Sequence, residues 1–508
     1  MKFITRLEKN KNTWIMLFIL IFFFLLRFPS LFEPYWYGDE GVYQAVGMAI
    51  KDNRLLYKDI WDNKPPLIYV IYSIFNSDQF AVRTVSLIFG LLSVFIFFLL
   101  AQKLFQDSKE SKIHIFATIV FTILFGLPLI EGNIANAENF MLLPILLAAL
   151  LILNIRDKLM HKTSRNQKPP FPYLMPNTYY IILFLAGLLL GIAFLFKVVA
   201  VFDFAALLAF IAIIYLPQRP KIANIKQLSR QIALFPIGFF IPLFVATLFF
   251  LVSGGFKDFL HGAFIQNIVY VAYGNKFIIP QGLLILKLIL LSAFIFYIFK
   301  IRKALSPTTT FILVLFAFSL FNAFFSQRPY GHYLLVLAPS FSLMLGLILW
   351  DKKYKKAEAI LLLVATLIIF NYFSFFQKSI SYYQNFIDFI TNKKSVSEYQ
   401  AFFDRQTPID YEVALFLKSK INNNDSIFVW GNNPQLYKIV GVVPVSKYVT
   451  SYHTINYKEG AVDIVQTLQK TNPRFIVITS NPEAIPFSLF NYSAGIRIGN
   501  VVIYERVL

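Results

Sequence analysis

The chain has 508 residues, of which 57% are hydrophobic and 15% charged, with no cysteine and a formal net charge of +20. An ordinary soluble domain is about a quarter charged and a disordered chain is poor in apolar residues, so the composition excludes both classes. The missing cysteine excludes a disulfide scaffold, a thiolate zinc site and a cysteine nucleophile.

A helix needs about 20 apolar residues to cross the roughly 30 Å hydrocarbon core of a bilayer. Eleven runs approach that requirement, over 14–32, 80–104, 113–130, 138–155, 178–196, 198–216, 231–253, 281–300, 308–325, 332–350 and 358–376. Isolated strands leave backbone groups unsatisfied in lipid, so these runs predict an α-helical polytopic membrane protein. The first run follows the basic stretch MKFITRLEKNK and continues into a polar segment with no small-residue cleavage site, which reads as a retained anchor.

Lys and Arg cluster in 1–12, 109–112, 156–168, 219–230, 300–303 and 352–356. A cytoplasmic N-terminus places all six clusters on one side of the membrane, the positive-inside pattern. The other side receives 33–79, 131–137, 254–280, 326–331 and the chain after about residue 377. The segment 33–79 carries seven acids against four bases. The net charge therefore reads as an orientation signal rather than a nucleic-acid footprint. The expected location is the cytoplasmic (inner) membrane, with the C-terminal part extracytoplasmic.

Residues 377–508 change character. A helical stretch Tyr411–Ile421 leads into a strand-like Ser426–Trp430, and a helical Ala461–Lys470 into a strand-like Arg474–Thr479. Gly499-Asn500 between apolar alternations predicts a closing hairpin. The expected organisation is a transmembrane domain over 1–376, with 33–79 as a first outer loop carrying interfacial helices, and a small extracytoplasmic α/β domain over 377–508.

The first outer loop holds the densest chemistry. Asp39 and Glu40 are adjacent carboxylates just after a membrane exit, where one ionised member can act as a general base. Lys64 precedes Pro65 and Pro66, which stiffen the turn and aim an ammonium at an anion such as phosphate. Tyr37 and Trp61 can form part of an interfacial aromatic belt. Further polar groups recur at the same membrane level: Arg83 opening the second run, Glu138 opening the fourth, Lys197 between the fifth and sixth, and Arg328, His332 and Tyr333 entering the tenth. Ionisable groups at the membrane edge are costly and default to functional candidates. Asp203, inside the sixth run, is expected to pair with Lys197. His332 can join a carboxylate around a divalent ion, but no His-x₃-His pattern accompanies it, so no metal ligand set is assigned. No phosphate-binding loop or dinucleotide fingerprint is present, and a nucleotide-activated substrate has no seat. A lipid-borne donor needs none, because its chain enters between helices.

Taken in order, Gly38-Asp39-Glu40, Trp61-Asp62-Asn63-Lys64-Pro65-Pro66 and Arg83-Thr84-Val85-Ser86, followed by Ala137-Glu138-Asn139, Gly191 with Lys197, and His332-Tyr333-Leu334-Leu335, resemble a known group. It is that of the bacterial membrane glycosyltransferases related to protein mannosyltransferases and aminoarabinose transferases, which share the GT-C architecture. The tail run Ile427–Gly431 with Tyr437 also resembles bacterial members. The resemblance implies sugar transfer from a polyprenyl-phosphate carrier to a lipid, glycan or protein acceptor on the outer face. It implies Asp39 as base on the acceptor hydroxyl, Glu40 in support, and inversion by a single displacement. Lys64 would hold the donor phosphate, with Arg83, Lys197 and Arg328 as further cations. Tyr37, Trp61, Glu138, His332 and Tyr333 remain as substrate contacts. The aminoarabinose branch has a glutamate before its lysine, associated with metal; here that position is Asn63, which speaks against a zinc site and leaves a divalent ion open. A secondary transporter or flippase for a lipid-linked or anionic substrate is the alternative, and it does not account for the acidic first loop or the α/β tail.

Overall fold

The fold was obtained as a computed structural model describing residues 11–106, 112–161, 177–216, 221–276, 278–328, 330–350, 375–422, 424–457, 459–479, 485–493 and 495–507. Seven helical segments among them are long and apolar enough to cross a membrane: Asn12–Phe32, Gln79–Leu104, Ala137–Ile155, Tyr179–Phe196, Val198–Tyr215, Leu234–Val252 and Gly282–Ala304. Three shorter apolar helices, Ile113–Gly126, Pro307–Ala323 and Ala338–Trp350, stand where three further spans are expected. The expected run 358–376 lies almost wholly outside the described residues. The described chain divides into two compact units. One comprises Met1–Phe28, Ser86–Ala246 and Ile268–Ser379; the other comprises Pro29–Val85, Thr247–Asn267 and Ile380–Leu508.

The first unit is a bundle of apolar helices. In lipid there is little hydrophobic force between helices, so close van der Waals packing at small residues has to hold them together. The helices Asn177–Phe196 and Leu234–Val252 show this directly. A methyl group at Gly187 would overlap the carbonyl oxygen of Phe235, and one at Gly238 would overlap that of Phe184. Gly187→Leu should therefore push the two helices apart and destabilise the unit by about 1–3 kcal/mol. Thermal unfolding of the detergent-solubilised protein checks this: the midpoint should drop by several degrees, and an unchanged midpoint would contradict the packing.

The second unit joins the 29–85 segment to the C-terminal α/β fold. The helix Gly38–Lys51 is buried around most of its circumference, with Glu40 to Gly47 and Ala49 all interior, and packs on the helix Leu67–Ile74. Backbone atoms of Gln435, at the start of the helix Gln435–Val440, sit against Gly41. The sheet has four strands, β1 (Ile427–Trp430), β2 (Phe475–Ile478), β3 (Ile496–Ile498) and β4 (Val501–Glu505), in the order β1-β2-β4-β3. β1 and β2 are parallel, with Ile427 opposite Phe475, and the other pairings are antiparallel. Parallel neighbours need a crossover, which the helix Gly460–Thr471 supplies. Its Ile464 and Leu468 pack on Phe428, Trp430, Ile476 and Ile478. The β3–β4 hairpin turns at Gly499, whose φ of 58° suits glycine.

One buried carboxylate ties this unit together. Asp410, in the helix Thr407–Lys420, accepts hydrogen bonds from Gln406 (3.1 Å), Asn433 (2.9 Å) and Gln435 (3.1 Å). Burial pushes its carboxyl up to about 6, outweighing the three amide donors that pull it down. A carboxyl raised above its ordinary 3.8 binds its proton more tightly when folded, so its contribution is fully present below that value and is lost as pH rises through about 6. The thermal midpoint of the wild type relative to Asp410→Asn should accordingly decline as pH rises through that window. A difference independent of pH would contradict the assignment.

Candidate functional site

In the second unit the helix Gly38–Lys51 carries Asp39 and Glu40 in its first turn, where the helix dipole favours negative charge. Tyr37 is its extended N-cap residue, edge-on to Trp36 at 5.3 Å. The two neighbouring carboxylates have separate surroundings. Asp39 keeps 42% of its side chain exposed, and its Oδ2 meets Lys64 Nζ at 3.2 Å and the Tyr43 hydroxyl at 3.2 Å. The Lys64 ammonium also lies over the Tyr43 ring, 4.8 Å from its centroid. Glu40 is turned inward and is 1% exposed.

Inside, Glu40 receives Arg83 Nε at 3.0 Å and Tyr72 Oη at 3.4 Å. Arg83 is fully buried and also meets Glu33 at 2.8 Å and the Ser30 carbonyl at 2.6 Å. Glu33 in turn accepts from Trp36 Nε1 at 2.8 Å and from Tyr382 Oη at 2.6 Å. Arg83 and Glu40, both singled out from sequence as site residues, are thus engaged with each other in the interior.

Trp61 is also interior, 4% exposed, with its ring centroid 4.5 Å from Tyr457, 5.2 Å from His453 and 5.5 Å from Tyr448. His453 Nε2 faces Asp62 Oδ1 at 3.9 Å. Burial lowers the His453 pKa, while the Asp62 carboxylate opposes that shift. Asp62 itself accepts from Tyr69 Oη at 2.7 Å.

The first unit holds a second polar cluster. Lys197 pairs with Glu138 and lies over the Tyr333 ring, 4.2 Å from its centroid. His332 is held between two carboxylates, with Nδ1 2.7 Å from Glu131 and Nε2 3.8 Å from Glu138. Tyr333 shares a hydrogen bond of 3.0 Å with Tyr270, over whose ring the Arg328 guanidinium sits at 4.6 Å. Glu138, Lys197, His332, Tyr333 and Arg328 thus belong to one cluster. The expected Asp203–Lys197 pair does not form. Lys197 has an extended backbone between two helices and directs its ammonium to Glu138, while Asp203 stays buried with Oδ2 unpartnered.

Sequence reasoning did not single out Glu131, Tyr270, Asp62 or His453. In the sequence Glu131 is marked only by the Gly132-Asn133 that follows it; in the structure it adopts a left-handed φ of 60°. That is uncommon for a residue other than glycine and marks a constrained turn. Among the described residues, no three His, Asp or Glu side chains gather in a way that would hold a metal ion.

No family profile and no curated protein sequence matches the chain. Solved structures do. ArnT from Cupriavidus metallidurans bound to undecaprenyl phosphate aligns over 97% of this chain and 98% of that chain, with 13% identity and a TM-score of 0.58. ArnT from the same organism in the apo state aligns over the same shares, with 10% identity and a TM-score of 0.57. The archaeal oligosaccharyltransferase AglB from Archaeoglobus fulgidus aligns over 93% of this chain and 69% of that chain, with 11% identity and a TM-score of 0.46. At such identities the likeness to ArnT is one of fold. The chain is a polytopic α-helical membrane protein with the GT-C fold and a small α/β sheet.

Proposed function

We propose that this protein is an inverting glycosyltransferase that moves a hexose or pentose from a polyprenyl-phosphate donor to an acceptor hydroxyl. In this reading it works at the outer face of the cytoplasmic membrane, with its N-terminus inside. The observation that carries the reading is the Asp39–Lys64 pair, a half-exposed carboxylate beside an ammonium at the start of one helix, in a chain with the fold of a protein that was crystallised with undecaprenyl phosphate.

The chemistry needs those two groups. A hydroxyl is a poor nucleophile, and Asp39 takes its proton as the oxygen attacks the anomeric carbon. The bond from that carbon to the phosphate oxygen breaks, and the electron pair leaves with a phosphate that already carries charge. Such a leaving group is served by a cation rather than by an acid. Lys64 supplies it, exchanging part of its contact with Asp39 for the phosphate. Tyr43, touching both side chains, keeps the carboxylate oriented. Glu40 and Arg83 act from behind by fixing the first turn of the helix, rather than by meeting the donor. In the first unit, Lys197 and Arg328 are proposed to serve an anionic group, with Glu138, His332 and Tyr333 setting their positions.

Purified protein in nanodiscs, offered a panel of polyprenyl-phosphate sugars with lipid, glycan and peptide acceptors, should release polyprenyl phosphate in step with glycosylated acceptor for at least one pairing. Binding and translocation of the donor with no transfer across the panel would favour a flippase and sink the reading.

A further inference from the structure

Lys64 is held by its backbone as well as by its side chain. Its N–H donates to Tyr69 Oη at 3.1 Å, and its carbonyl accepts from Tyr57 Oη at 2.7 Å. The carbonyl of the preceding residue, Asn63, accepts from Asn267 Nδ2 at 2.8 Å. Pro65 and Pro66 follow and have no N–H to give. Backbone groups in such a place need partners, and here the partners are side chains reaching in from elsewhere in the chain.

The supports are themselves anchored. Tyr57 is fully buried between Phe250 and Phe259, at 5.4 and 5.7 Å, and has a φ of 70°. A non-glycine residue in that region persists only where its surroundings over-determine it. A methyl group at Gly262 would come within 2.6 Å of the Tyr57 ring, so the lack of a side chain there lets the ring seat. Asn267 is pinned by a second hydrogen bond, to the Ala263 carbonyl at 2.8 Å. Tyr69 donates its own hydroxyl hydrogen bond to Asp62 Oδ2 at 2.7 Å. Burial first, and the Asp62 charge second, raise both phenols well above their ordinary value, so both remain protonated donors.

We propose that Tyr57, Tyr69 and Asn267 are positioning residues that fix the backbone at Lys64 and so set where its ammonium meets the donor phosphate. The inference rests on the reading of Lys64 given above. It explains why two buried tyrosines spend their hydroxyls on one lysine's backbone: an ammonium on a four-carbon stem is freely mobile, and anchoring its Cα restricts the volume it can sample.

A double-mutant cycle on undecaprenyl phosphate binding in nanodiscs tests it, using Tyr57→Phe, which keeps the ring, and Lys64→Ala. Tyr57→Phe should weaken binding about tenfold in the wild-type background and have no further effect in Lys64→Ala, because the hydroxyl acts only through the lysine. A merely structural tyrosine would weaken binding equally in both backgrounds, and that result would overturn the proposal, as would unchanged affinity in the wild-type background. Asn267→Ala, at a partly exposed position, runs the same cycle if Tyr57→Phe fails to fold. If Lys64→Ala itself leaves affinity unchanged, the phosphate role of Lys64 falls and the clamp falls with it. If Lys64→Ala weakens binding and neither clamp variant does, the clamp alone falls.

Discussion

Asp39→Asn should remove sugar transfer while leaving a folded, membrane-inserted protein. General-base contributions are typically about 10²–10⁴-fold, and a loss in that range is expected for the turnover rate at saturating donor. The fold should survive because Asp39 is partly exposed, at 42%, and because an asparagine Oδ1 can still accept the Tyr43 hydroxyl. Donor affinity should not weaken, since the substitution frees Lys64 from its carboxylate. The pattern to look for is a large fall in turnover with unchanged or tighter donor binding and an unchanged thermal midpoint. Equal loss of binding and turnover would assign Asp39 to donor recognition instead.

Arg83→Met should act on a different quantity. Arg83 is fully buried between Glu33 and Glu40, and its removal leaves two carboxylates in the interior without their cation. Breaking a buried ion pair from one side is typically destabilising by about 3–5 kcal/mol, because the remaining charge is uncompensated. The variant should be recovered in poor yield with a strongly lowered thermal midpoint. Arg83→Lys, which keeps the charge but not the planar fork that reaches two carboxylates and the Ser30 carbonyl, should fall between. A stable Arg83→Met protein with weakened donor affinity would instead return Arg83 to the phosphate-binding role suggested by its place in the sequence.

The contrast between Asp39 and Arg83 shows what a linear reading of this chain reaches. Membrane spans were legible because about 20 consecutive apolar residues carry the signal locally: seven of the eleven expected runs fall on described helices long and apolar enough to cross a membrane, and three more overlap shorter apolar helices. The tail was legible for a similar reason, since alternating apolar residues around Gly499-Asn500 encode the β3–β4 hairpin over only a few positions. Asp39 and Lys64 stood out by position in a polar loop, and their mutual contact spans 25 residues. Other partnerships run over longer separations. Glu33 meets Tyr382 across 349 residues, and Glu131 meets His332 across 201. No spacing rule connects such positions. Lys197 misled for the opposite reason: Asp203 is near in sequence, but the break at Val198–Ala200 separates the two, and Glu138 takes the ammonium.

The central claim is a direct displacement at the anomeric carbon, by a hydroxyl that Asp39 deprotonates, with a lipid phosphate held by Lys64 as the leaving group. Determining the anomeric configuration of the product by NMR, from a donor of defined configuration, tests it most directly. A single displacement predicts complete inversion. Retention would require a covalent glycosyl-enzyme or an internal-return route, and would contradict the account.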